Sequence, residues 1–78
     1  MNKRRRTRIA RIRDKLEELQ AEIEEIRVEE ETAYENMSEG MQVGERGEES
    51  QRAEEQLQSA HDDLQQVLES LDAAANGE

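Results

Sequence analysis

The apolar residues of this chain recur at intervals of three and four in two separate runs, and that spacing constrains the fold more than any other feature. The first run is Ile9, Ile12, Leu16, Leu19, Ile23, Ile26, Ala33 and Met37, with Glu30 in the one seam position left over. The second is Ala53, Leu57, Ala60, Leu64, Val67, Leu71 and Ala74, widened by Leu68. Such a period, close to 3.5, belongs to helices that pack through the a and d positions of a heptad. No proline interrupts either run, and good helix formers dominate both.

Between the runs lies Ser38-Glu39-Gly40-Met41-Gln42-Val43-Gly44-Glu45-Arg46-Gly47, whose three glycines mark a loop. The spacing predicts an all-α fold, a two-helix antiparallel coiled-coil hairpin. Helix 1 spans about 7–38, a glycine-rich turn about 39–47 and helix 2 about 48–76. Residues 1–8 form a basic N-terminal arm and 9–78 the hairpin. Glu48 and Glu49 suit the positive end of the second helix dipole, and Asn76-Gly77 reads as a left-handed C-cap. Met41 and Val43 are expected to close the end of the core.

Folding the chain at the glycines brings the seams together antiparallel, pairing Ala33 with Leu57, Ile26 with Leu64, Ile23 with Val67, Leu19 with Leu71 and Leu16 with Ala74. Ile9 and Ile12 then overhang with the basic segment. Two helices from 78 residues, 32% of them hydrophobic and one aromatic (Tyr34), bury little. A homodimer that forms a four-helix bundle, with the overhangs between subunits, is the expected remedy. A marginal monomer that folds on its target is the other reading.

Charge divides the chain unevenly. Residues 1–15 hold eight Lys/Arg against Asp14, a formal +7, and residues 16–78 hold three Arg against 20 acids, a formal −17. A body so acidic repels phosphate and lipid headgroups, so a cationic partner is expected. The chain has no cysteine. Lys3-Arg4-Arg5-Arg6 leads into Thr7-Arg8 rather than an apolar stretch, which excludes a secretory signal. No run approaches the roughly 18 apolar residues that span a bilayer. A cytoplasmic protein without membrane attachment follows as an expectation.

Little supports catalysis, so a non-enzyme without cofactor or metal is expected. His61 is the one histidine, and a solvated helix-surface role suits it better than a metal ligand or pH sensor. The Glu-x-x-His motif of di-iron bundles is absent, since Gln58 stands three residues before it. Gly40–Gly47 lies among acids that oppose a phosphate, and no 12-residue calcium frame fits.

Two surfaces remain as candidates. Arg4, Arg5, Arg6 and Arg8 of the basic segment suit phosphate contacts, without aromatics to stack bases. Equally, that segment suits pairing with the protein's own acids, as Arg13 with Glu17 shows in spacing. The stronger candidate is acidic: Glu22, Glu24, Glu25, Glu29 and Glu31 on helix 1, with Glu45, Glu48 and Glu49 at the turn. Carboxylates on neighbouring turns, about 5–6 Å apart, approach the spacing of phosphates along a nucleic-acid strand. The plainer reading is a solubilising surface. Surface helices ordinarily mix signs, however, and this one has only Arg27, Arg46 and Arg52 after residue 15.

Tyr34-Glu35-Asn36-Met37-Ser38-Glu39, followed by Glu45-Arg46-Gly47-Glu48, resembles a pattern in small phage and prophage proteins. Those have a basic start, a Glu/Leu/Ile helix, an aromatic-x-Asn turn and a Glu-Arg-Gly-Glu entry into an acidic second helix. The resemblance differs at Ser38, where proline is the pattern's residue. Small acidic phage proteins are similar in size and charge to inhibitors of host defence such as anti-CRISPR proteins and DNA mimics. The resemblance implies a phage-encoded inhibitor whose acidic surface blocks a basic nucleic-acid-binding surface of a host protein or ribonucleoprotein. The alternatives are an assembly coiled coil that binds through its apolar seam and an accessory nucleic-acid binder that uses the basic segment.

Overall fold

A computed structural model describes residues 1–77. It contains α1 (Lys3–Glu35), the single-turn α2 (Glu39–Gln42) and α3 (Glu45–Asn76), with no strand among the described residues. Cross-links between α1 and α3 run antiparallel, from Arg13–Asp72 near the termini to Arg27–Glu54 nearer the turn. The product is a hairpin of 58 × 15 × 12 Å, the helical architecture that the two heptad runs predict.

The ends of the helices differ from the sequence reading. The basic segment is helical almost from its start. Asn2 caps it, its Oδ1 accepting from the Arg5 amide at 2.9 Å, and the Thr7 hydroxyl donates to the Lys3 carbonyl at 3.0 Å. Residues 3–8 are therefore the first turns of a rigid helix, and this cap outweighs the unfavourable placing of arginines at a positive dipole end. Helix 1 stops at Glu35, and Ser38 then caps α2 through a 3.3 Å bond from the Met41 amide. The third helix starts at Glu45, so its first turn carries Glu45 and Glu48.

The glycines also act differently. None has positive φ, and Gly77 is extended at φ −75°, ψ 146°, so the left-handed C-cap does not form. Gly47 is needed for closeness, because a Cβ there would collide with the backbone of Gln42. Met41 and Val43 do not close the core. They project outward, Val43 with 79% of its surface exposed.

The largest correction concerns the seam. With Ile9 as an a position, the sequence puts Ile12, Leu19, Ile26 and Ala33 at d. The helices instead meet through a and e: Ile9, Leu16 and Ile23 alternate with Arg13, Gln20, Arg27 and Tyr34, all half-buried. On α3, Leu57, Leu64 and Leu71 alternate with Glu54, His61, Leu68 and Ala75 in the same way. Leu68, which only widened the predicted seam, is the one buried apolar side chain among the described residues, at 2% exposure. The d positions turn outward, with Ile12 49%, Leu19 51%, Ile26 46% and Val67 44% exposed.

Pairing slides by about one heptad as well. Gln20 meets Gln65, and Arg13 meets Asp72, with residues 73–76 still helical beyond it. Ile9 and Ile12 thus lie level with the last turn of α3 and do not overhang. The reason is polar. At e, Gln20 donates to the His61 carbonyl at 3.2 Å and to Gln65 Oε1 at 3.1 Å, while Arg27 reaches Glu54 at 3.0 Å. An a/d seam would trade these bonds and Leu68 for Ala53, Ala60 and Ala74, which fill less space between two helices.

Candidate functional site

Because the hairpin is straight, the division of charge along the sequence becomes a division along its long axis. The half that holds both chain ends, residues 1–19 and 65–77, has eight bases and five acids, a formal +3. The half that holds the turn, residues 20–64, has three arginines and 15 acids, a formal −12. With Glu78, which lies outside the described residues, these sum to the chain's −10.

Within the acidic half, one cation gathers three carboxylates. Arg27 donates from Nε to Glu24 at 2.8 Å and from Nη1 to Glu31 at 2.9 Å and to Glu54 at 3.0 Å. Its hydrogen bond to Glu24, with that to Glu31, raises the guanidinium pKa, and the same bond holds the Glu24 carboxyl below its usual range. Two of the sequence candidates, Glu24 and Glu31, are therefore tied to Arg27 and half-buried. Glu22, Glu25, Glu29, Glu45, Glu48 and Glu49 are exposed and enter no ion pair among the described residues. Heptad geometry divides them further. Glu22 and Glu29 sit at g, beside the outward d stripe, whereas Glu25 lies at c on the far side.

At the other end Arg4, Arg5, Arg6 and Arg8 are all exposed on the first turns of α1. Lys3, Arg4, Thr7, Arg8 and Arg11 border one shallow depression there. Arg13 belongs to the hairpin instead. It bonds Asp72 at 2.6 Å and Glu17 at 2.7 Å, and the Asp72 bond raises its pKa. His61 faces Asp62 at 3.4 Å and lends its backbone carbonyl to Gln20. No group of three His, Cys, Asp or Glu among the described residues is placed to hold a metal ion. No helix among them is long and apolar enough to cross a membrane.

Sequence reasoning missed the d stripe as a surface, having assigned it to the interior. The signal was present in the polar residues at e: Arg13, Gln20 and Arg27 recur every seven residues, each with a complementary group across the hairpin. Comparison with protein-family models, with curated proteins and with solved structures finds no match.

Proposed function

We propose that this chain is a non-enzymatic inhibitor of the anti-CRISPR kind, encoded by a phage and acting in the host cytoplasm. Its acidic half occupies a cationic nucleic-acid-binding surface of a host defence protein or ribonucleoprotein. The observation that carries this reading is the formal −12 of residues 20–64 on a rigid helical pair. A rigid rod presents its carboxylates without an ordering cost on binding, and charge complementarity accelerates encounter and sets specificity. The carboxylates that do this are the exposed ones, Glu25, Glu45, Glu48 and Glu49, with Glu22 and Glu29 on the adjoining edge. Glu24 and Glu31 support the scaffold. Two copies pair into a four-helix bundle, which supplies the burial that one hairpin lacks.

The test is capture from host lysate with competition. The partner retained by the wild-type chain should be released by added nucleic acid and by about 0.5 M salt. A partner that resists both would be held through apolar contacts, and the mimicry reading would fail.

A further inference from the structure

The d stripe has an occupant whose chemistry can be read from the hairpin itself. With successive residues 100° apart, d lies 60° to one side of a and e lies 40° to the other. When two antiparallel helices meet through a and e, their d stripes turn to the same side of the pair. Ile12, Leu19 and Ile26 of α1 therefore share one broad face with Ala53, Ala60 and Val67 of α3. Of these, only Ala60 is even half-buried, and the three α1 side chains and Val67 are 44–51% exposed. Positions a, d and e together are the inward stripe of a helix in a four-helix bundle, and here one third of that stripe is open. A face of about 58 by 15 Å offers on the order of 800 Å² per partner, the size of a standard specific interface.

Charge along the edge of this face selects the partner and its direction. The g positions that flank the α1 stripe are Arg8 and Lys15 towards the termini and Glu22 and Glu29 towards the turn. All four are exposed and enter no ion pair among the described residues. We infer that this face docks on the same face of a second copy of this chain, with the two turns at opposite ends of the bundle. A two-fold axis across the rod then stacks α1 on the second copy's α1, antiparallel. Leu19 meets Leu19 at the axis, and Ile12 meets Ile26 in both directions. At the edges Arg8 falls beside Glu29 of the second copy and Lys15 beside Glu22, giving four opposite-charge pairs. On α3, Val67 meets Ala60 and Ala53 meets Ala74, while Asp63 lies near its own counterpart, the one like-charge meeting. With both turns at the same end, α1 would instead lie over α3 of the second copy, with the −12 halves on each other and no acid among the described residues opposite Arg8. The inference rests on the pairing proposed above and gives it a face, a direction and a consequence. Glu22 and Glu29 go to the dimer, which leaves Glu25, Glu45, Glu48 and Glu49 for an external partner.

Sedimentation equilibrium of the full chain is the test, and it needs no external partner, so its failure is separable from that of the inhibitor reading. The wild-type chain should be dimeric, and Leu19→Lys should raise the dissociation constant about 100-fold or more by placing a charge at the apolar centre. Arg8→Glu with Lys15→Glu should raise it about tenfold at low salt, and adding Glu22→Lys with Glu29→Arg should restore it. Circular dichroism of each variant verifies the helices. The chain has no native cysteine, so in oxidised Leu19→Cys a disulfide-linked dimer reports the direction. A chain that stays monomeric up to about 1 mM overturns the inference. So does a dimer indifferent to Leu19→Lys, and so does a dimer that Leu19→Cys cannot cross-link.

Discussion

The two halves of this hairpin use the same two helices and are held together by different forces. Towards the termini, the buried Leu68 sits between Leu64 and Leu71 in the seam, with Arg13–Asp72 at its margin. Towards the turn, the seam holds Arg27 among three carboxylates, a buried Ser50, and Gly47 against Gln42. One half is closed by apolar area, the other by polar bonds and close backbone approach. A carboxylate-rich half has little apolar surface to spend on packing, so short side chains and one shared cation close it. What the acidic half yields in core it keeps as exposed charge.

The apolar half should be the more costly to damage. Leu68→Ala removes the one apolar side chain buried among the described residues and should destabilise the fold by about 3 kcal/mol, read as a thermal midpoint by circular dichroism. A loss below about 1 kcal/mol would mean that Leu68 does not anchor the seam. In the acidic half, Gly47→Ala forces α2 away from α3 and should cost about 2 kcal/mol. Hydrogen exchange should show the loosening confined to residues 39–50, and even loosening along the rod would erase the distinction between the halves.

Each half was legible in the sequence to a different degree. Heptad spacing gave both long helices and their antiparallel pairing, because a period of 3.5 has few other uses. It did not give which side of the stripe faces inward. A narrow a/d seam and an a/e seam share every a residue, and the choice fell to polar partners such as Gln20 with Gln65, which no apolar pattern records. The basic segment was read as an arm because the apolar repeat begins only at Ile9, yet Asn2 caps it as helix. The glycines were read through conformational freedom, while Gly47 matters for its missing Cβ. Among candidate acids, charge density marked the region correctly as exposed and acidic. It could not separate Glu24 and Glu31, tied to Arg27, from their free neighbours.

Acid should weaken the turn half through Glu24. Arg27 holds the Glu24 carboxyl pKa down in the folded chain, so its contribution is present above the ordinary carboxylate range and is lost as pH falls through that lowered value. Glu24→Gln should remove this acid-side loss from the stability profile, measured by urea denaturation between neutral and strongly acid pH. An unchanged profile would show that the Glu24–Arg27 pair adds nothing to folding. The smallest expected change is Ser50→Ala. Its hydroxyl reaches the Glu30 carbonyl at 3.5 Å, too long for a strong bond, and the loss should stay below about 0.5 kcal/mol. A larger loss would mean that hydrogen bonding, rather than small size, selects serine there.

On the proposed function, the free acids of the turn half recognise a cationic partner while the seam merely holds them in place. The triple variant Glu25→Lys, Glu45→Lys, Glu48→Lys tests this recognition, since none of its positions lies in the seam or on the d stripe. Affinity for the partner captured by the wild-type chain should fall about 100-fold or more at low salt, with helicity retained. Unchanged affinity of the folded variant would contradict the claim.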